Sequence, residues 1–233
     1  MATLLIQLDE IGGGILTRIL RDYGHRMRTI RLAVGDPLPP DLDDIGAVLV
    51  CGRAATPPVE ALAAMLVEAH AAELPILALG DGAAILSEAL GGSAGEVPVG
   101  GWQEVKATAD GREEAILAGV PWTTRQFLAG SRGLGDLPDG ARSLWIFASG
   151  GVAAFHAGLR TYAFLPRIEL DLGGVRAALA TAGIGGERAG EDAETAERMP
   201  ETERLARRML ESFALFVAPI DRANHGLVKD LHY

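Results

Sequence analysis

The chain has 233 residues, 48% hydrophobic and 22% charged, enough to bury a sizeable core as one large α/β domain. With 31 acidic against 21 basic residues its formal net charge is −10, which disfavours nucleic-acid binding, since that runs on phosphate neutralisation by Lys and Arg. A single cysteine, Cys51, excludes a disulfide framework within the chain and a thiolate-rich zinc site.

The opening MATLLIQLDE has no basic leader and only a brief apolar run, and no stretch is long enough to span a bilayer. The expectation is a soluble, cytoplasmic chain. Thr3 to Leu8 predicts a buried strand ending at Asp9 and Glu10. Ile15, Leu16, Ile19, Leu20 and Tyr23 recur at helical spacing, and Gly24 is a C-terminal stop. Met27 to Val34 predicts a second strand, and the proline-rich GDPLPPDLDD a loop. Ala47 to Val50 is a third, wholly apolar strand. Thr56 and Pro57 suit the N-cap and first position of a helix running to about Ala72. Pro75 to Leu79 is a fourth buried strand, and Gly80-Asp81-Gly82 turns directly into the helical run AAILSEALGG. This alternation predicts an open, mostly parallel sheet flanked by helices.

Beyond Gly92 the pattern changes to short strands: Gln103 to Ala107, Arg125 to Leu128, Ser143 to Ala148, Val152 to His156 and Thr161 to Leu165. Gly150-Gly151 suits a two-residue hairpin turn. These strands predict an antiparallel extension of the sheet. A short helix over Val175 to Ala182 follows. The polar run at 185–200 reads as an exposed loop. Leu205, Met209, Phe213, Phe216 and Val217 mark one face of a final helix within 201–233, whose end reads as an irregular arm.

Several strings, in order, resemble the stand-alone class I glutamine amidotransferases, the group that includes the glutaminase domain of GMP synthetase. PILALGDGAAILSEALGG, residues 75–92, is similar to the family's "PILGICLGHQLLAEALGG", whose cysteine sits at the sharp turn from strand to helix. Gly101-Trp102 with VKATADGREEAILAGVP, then LPDGARSLWIFASG and AAFHAGLRTYAF, resemble later family strings. The resemblance covers roughly residues 3 to 180. It implies a flavodoxin-like class I amidotransferase architecture in a single domain, 1–233.

The resemblance also marks what is missing. In the family a Cys attacks the glutamine amide, a His moves the proton and a Glu orients the His. Ungapped alignment puts Gly80 at the cysteine. Matching on Phe164 and Pro166 puts Leu165 at the histidine and Arg167 at the glutamate; matching on Glu169 puts Arg167 at the histidine. Neither supplies an imidazole, so glutaminase activity is not expected.

The groups left as candidates are few. Gly80, Asp81 and Gly82 can frame a pocket through backbone N–H groups, and Gly52 with Arg53 stands where the family has a "GGP" turn. Asp81 and Cys51 are the replacement nucleophiles to weigh, Cys51 being set against a buried strand-end thiol. Arg167 with Glu169 is either a substrate clamp or a structural ion pair. His156 reads as a satisfied structural histidine, and His25, His70, His225 and His232 have no metal-binding spacing. Gly12-Gly13-Gly14 fails the dinucleotide fingerprint and no phosphate loop is present, so neither a nucleotide cofactor nor a metal is indicated.

These readings lead to an amidotransferase-like protein without its Cys-His machinery. It would act as a non-catalytic subunit of a partner enzyme, or bind a small amide or carboxylate ligand. The alternatives are an enzyme of altered mechanism on a γ-glutamyl or related amide compound, and a homo-oligomeric structural protein joined through its C-terminal helix.

Overall fold

The computed structural model describes residues 1–54, 60–96, 98–182 and 188–220, with the backbone alone at 182 and 188–192. Its strands are β1 (Ala2–Gln7), β2 (Met27–Arg31), β3 (Ile45–Cys51), β4 (Ile76–Leu79), β5 (Ala94–Gly95), β6 (Gly101–Ala107), β7 (Thr123–Leu128), β8 (Gly133–Leu134), β9 (Arg142–Phe147), β10 (Val152–Ala157) and β11 (Thr161–Phe164). The helices are α1 (Gly14–Asp22), α2 (Glu60–Ala71), α3 (Asp81–Ala89), α4 (Ala109–Glu113), α5 (Leu172–Ala182) and α6 (Arg188–Ser212).

Nine strands form one sheet in the order β2-β1-β3-β4-β11-β10-β9-β6-β7. The first five are parallel, and from β11 to β7 every pairing is antiparallel. Parallel strands are covered on both faces, which is why β1, β3 and β4 are apolar at consecutive positions rather than alternate ones. Leu4, Leu5, Ile6, Val48, Leu49, Val50, Ile76, Leu77 and Leu79 are wholly buried. Each such side chain contributes about 1.5–3 kcal/mol through lost water contact. β5 and β8 make a separate two-stranded ribbon.

Local chemistry explains the boundaries. Helix α1 buries Ile15, Leu16, Ile19 and Leu20 and stops at Gly24, whose φ of 91° is open to glycine at no steric cost. Strand β2 is shorter than its sequence suggests: after Arg31 the chain enters a single turn of 3-10 helix, Leu32–Val34. The connection between β9 and β10 is also longer than a two-residue turn. It spans 148–151, with positive φ at both Gly150 and Gly151.

The largest departure is at 185–200. From Arg188 onward this segment is the first half of α6, with Pro200 inside the helix. Thr195 and Met199 are buried on a second small core with Trp102, Phe127, Leu170 and Val175, and the Trp102 indole N–H donates to Thr195 Oγ1 at 3.1 Å. The apolar stripe was diluted by charged neighbours, so composition suggested a loop where packing makes a helix. At the far end Leu205, Met209, Phe213 and Val217 are buried, but Phe216 points outward at 69% exposure. The last turn, Phe213–Val217, is a π-helix, whose wider spacing rotates residue 216 off the buried face. The expected N-cap at Thr56-Pro57, residues 185–187 and the arm beyond 220, including His225 and His232, lie outside the described residues.

Candidate functional site

The carboxyl ends of β1, β3, β4 and β11 bring together Asp9, Cys51 to Arg53, Gly80 to Gly82, and Arg167 to Glu169. In open parallel sheets this is the end where ligands bind. The turn between β4 and α3 is a sharp elbow: Gly80 has φ 64° and ψ −134°, a conformation that an L-residue adopts only under strain. Its N–H donates to Phe164 O at 2.9 Å, locking the elbow to β11.

No space remains beside Gly80 for a side chain. A Cβ there would lie 2.7 Å from Arg167 Cδ and 2.8 Å from Gly52 O. The Asp81 N–H, the backbone donor next to the elbow residue, is already given to Gly52 O at 3.0 Å. Gly82 has a different reason for being glycine. A Cβ would sit 2.9 Å from Val50 Cγ1, so its role is the close seating of α3 on β3.

Arg167 is the centre of the constellation. It is 2% exposed, and its Nη1 donates to Asp9 Oδ2 at 2.9 Å while its Nε donates to Glu169 Oε1. Its own backbone N–H reaches Phe127 O at 2.9 Å, so it joins β11, β1 and the end of β7. Burial opposes the charge on Arg167, but the two carboxylates outweigh it and hold the guanidinium more firmly protonated. Glu169 is completely buried, and burial pushes its carboxyl up despite the attraction of Arg167. Arg167 Nη2 and Glu169 Oε2 are buried without a hydrogen-bond partner among the described residues.

Asp81 is wholly buried and accepts four hydrogen bonds. Oδ1 takes Ser131 N–H at 2.7 Å and Arg132 N–H at 3.1 Å; Oδ2 takes Ala54 N–H at 2.8 Å and Ser131 Oγ–H at 2.6 Å. It ties the loop after β3 to the loop after β7 and has no lone pair left for attack. Cys51 is buried, and burial, with the nearby Glu169 charge adding, pushes its thiol well up. A thiolate there is disfavoured. Arg53 is half-buried, and its backbone N–H donates to Asp9 Oδ2 at 2.7 Å.

Of the sequence candidates, the structure gathers Gly52, Arg53, Gly80, Asp81, Arg167 and Glu169, with Cys51 beneath them. Leu165 does not join them; it is packed in the main core. Gly12-Gly13-Gly14 is explained by close approach: Ile15 N–H donates to Glu169 O at 2.9 Å, and a Cβ on Gly14 would stand 2.2 Å from that oxygen. His156 is not the fully satisfied histidine expected, because its Nε2 is buried without a partner among the described residues. Sequence reasoning missed Asp9, Ser131 and Arg132 as members of the site. A charged residue directly after a buried parallel strand was the available signal for Asp9; Ser131 and Arg132 come from a loop 50 and 51 residues along the chain from Asp81, with no local mark.

Among the described residues no group of three or more His, Cys, Asp or Glu side chains is placed to hold a metal ion, and no helix is long and apolar enough to cross a membrane.

No protein-family profile matches the sequence, and no curated protein matches it. Solved structures do. A glutamine amidotransferase from Methylobacillus flagellatus superposes with a TM-score of 0.82 at 17% identity, covering 97% of this chain and 98% of that one. A glutamine amidotransferase from Thermotoga maritima gives 0.73 at 18% identity, covering 91% and 97%. Identities this low speak for the fold alone. From the parallel half through the antiparallel extension, this chain has the class I glutamine amidotransferase fold.

Proposed function

We propose that this protein is an amidotransferase-like protein without glutaminase chemistry, serving as a non-catalytic subunit or scaffold for a partner enzyme. The observation that carries this reading is at the elbow. Gly80 has no side chain to attack an amide, and Arg167 and the Gly52 carbonyl fill the volume that a nucleophile would need. The neighbouring Asp81 N–H, which could otherwise stabilise an oxyanion, is spent on Gly52 O. In the alignment anchored on Glu169, Arg167 takes the place of the proton-moving histidine, and a guanidinium held by two carboxylates cannot serve as a base.

The test has two parts. Ammonia release from glutamine should stay at background for the native chain and for Gly80→Cys, which should also be destabilised by the contacts at Arg167 and Gly52. Turnover of either at ordinary enzyme rates, about 1 s⁻¹ or more, sinks the reading. Affinity capture of the tagged full chain from its host should recover one enzyme in stoichiometric amount. Recovery of the chain alone removes the subunit role and leaves a small amide or carboxylate binder.

A second reading, an enzyme of altered mechanism on a related amide, is favoured by one observation. Arg167 Nη2 and Glu169 Oε2 are a buried donor and a buried acceptor without a hydrogen-bond partner among the described residues. It requires that Glu169→Gln abolish a measurable turnover while the fold survives.

A further inference from the structure

Of the three tryptophans, Trp102 and Trp145 are buried, whereas Trp122 is 63% exposed. It stands directly before β7, an edge strand of the sheet. The Arg112 guanidinium, at the end of α4, lies over its ring at 4.3 Å from the centroid, a cation–π contact. Beside them opens a cavity of about 60 Å³, floored by the buried Leu117, Val120 and Trp145. Ala118 and Gly119 form another part of its wall, and there Arg208 arrives from α6, its Nε donating to Ala118 O. Gly119 makes room for it: at φ 75°, a Cβ on this residue would stand 2.6 Å from Arg208 Cζ.

Neither guanidinium has a carboxylate within ion-pair distance among the described residues. On α6 itself the neighbours behave otherwise: Arg204 pairs with Glu201 and Arg207 with Glu211, each about one turn away. The chain as a whole carries a net charge of −10, so two unpaired arginines bordering one exposed indole reverse its sign locally.

Size and charge narrow what fits. A cavity of about 60 Å³ holds one short side chain, whereas pockets for small molecules run to about 300–1,000 Å³. The acidic excess of the chain disfavours a nucleic acid. Tryptophan and arginine are the side chains that dominate protein–protein contacts, and a guanidinium takes a carboxylate through two parallel N–H donors.

We propose that Trp122, Arg112 and Arg208 form the docking site for an acidic segment of a partner protein. An aspartate or glutamate of that segment binds the guanidinium groups, and a short neighbouring side chain enters the cavity beside the indole. The proposal rests on the reading of this chain as a subunit and names the face by which it is held. That face is built by α4, α6 and the loop before β7, and the elbow takes no part in it.

The experiment places the photo-crosslinking residue p-benzoylphenylalanine at the exposed Thr123 in the full chain, expressed in its host, and identifies the crosslinked segment by mass spectrometry. The expected product joins Thr123 to one other protein, within a segment where Asp and Glu outnumber Lys and Arg. Its yield should fall at least about tenfold in Trp122→Ala and in Arg112→Gln/Arg208→Gln, a modest loss for side chains that anchor a contact. Both variants are checked for an unchanged circular-dichroism melt. Trp122→Ala keeps the test standing if the arginine pair also supports folding, since its exposed ring is outside the core. An unchanged yield in Trp122→Ala overturns the proposal, as does a segment without acidic excess or a crosslink only to a second copy of this chain. Absence of any crosslink at Thr123 overturns it too. A probe at the exposed Phe216 then separates the two readings. Crosslinking of a partner there leaves the subunit role standing and removes only this face, whereas silence at both positions, with the chain captured alone, removes both.

Discussion

Removing the charge of Arg167 tests the physics of the elbow most directly. In Arg167→Met the volume is nearly kept, but Glu169, which is wholly buried, loses its cation and Asp9 loses one of its donors. Breaking a buried pair from one side costs about 3–5 kcal/mol, because the remaining charge stays out of water uncompensated. That range applies here because both members of the Arg167–Glu169 pair are shielded from solvent, with side-chain exposures of 0% and 0%.

The pH dependence gives the prediction its sign. Burial already raises the Glu169 carboxyl above its ordinary value, so the folded state binds its proton more tightly than the unfolded chain does. A group of this kind contributes stability fully present below its unfolded pKa and lost as pH rises through the folded one. Without Arg167 the folded value climbs further. Arg167→Met should therefore lose most at neutral pH and recover as the solution is acidified toward the ordinary glutamate range. Arg167→Met/Glu169→Gln should regain much of the loss at neutral pH, since a neutral amide replaces the stranded charge. Urea unfolding followed by circular dichroism, at several pH values and constant ionic strength, measures all three. A single variant within about 1 kcal/mol of the native chain, with a flat pH profile, refutes the reasoning.

Three shorter predictions follow from other groups. Asp81→Asn should lower the melting temperature by about 6–12 °C, the equivalent of roughly 3 kcal/mol, since an amide nitrogen must then face groups that are all donors; an unchanged melting curve refutes it. Cys51 should resist thiol reagents at about pH 8 in the native chain and react at once in denaturant, because burial disfavours its thiolate; fast native labelling refutes it. Glu114 is held below its usual range, so it contributes stability that is present above the unfolded value and lost as pH falls through the folded one. Glu114→Gln should flatten that acid limb, and an unchanged acid profile counts against the assignment.

The sheet was legible in the sequence because its physics is local and repetitive. Consecutive apolar residues in β1, β3 and β4 mark strands covered on both faces, and the elbow announces itself in Gly80-Asp81-Gly82 between an apolar strand and a helical run. Helix α6 was not legible at 188–200, because the core it packs on is assembled from Trp102, Phe127, Leu170 and Val175, far away in the chain. The outward turn of Phe216 had no mark either, since the shift to π-helical spacing is a tertiary outcome. At the site, a glycine at the elbow position, where the resembled family carries a cysteine, could be read directly. The filling of its space could not: Arg167 reaches Gly80 only because its backbone is pinned to Phe127 and its guanidinium drawn to Asp9, contacts that span the whole fold.

Those contacts bear on whether any chemistry survives at the elbow. The replacement nucleophiles weighed from the sequence were Asp81 and Cys51. Asp81 would first give up four donors from two loops, and Cys51 would have to ionise in a place where burial and the Glu169 charge both oppose it. Among the described residues of the site, Glu169 has the raised carboxyl that suits a general acid, but one oxygen is engaged by Arg167 and the other is sealed from solvent. Placing a cysteine at Gly80 would not undo this arrangement, because its Cβ meets Arg167; removing Arg167 to make room strands Glu169. These contacts depend on one another, so a cysteine placed at Gly80 costs stability before it gains a reactive group. Under the function proposed above, the fold serves as a shape to be recognised rather than as a frame for catalysis, and capture of the intact chain with a partner enzyme tests that proposal before any substrate is sought.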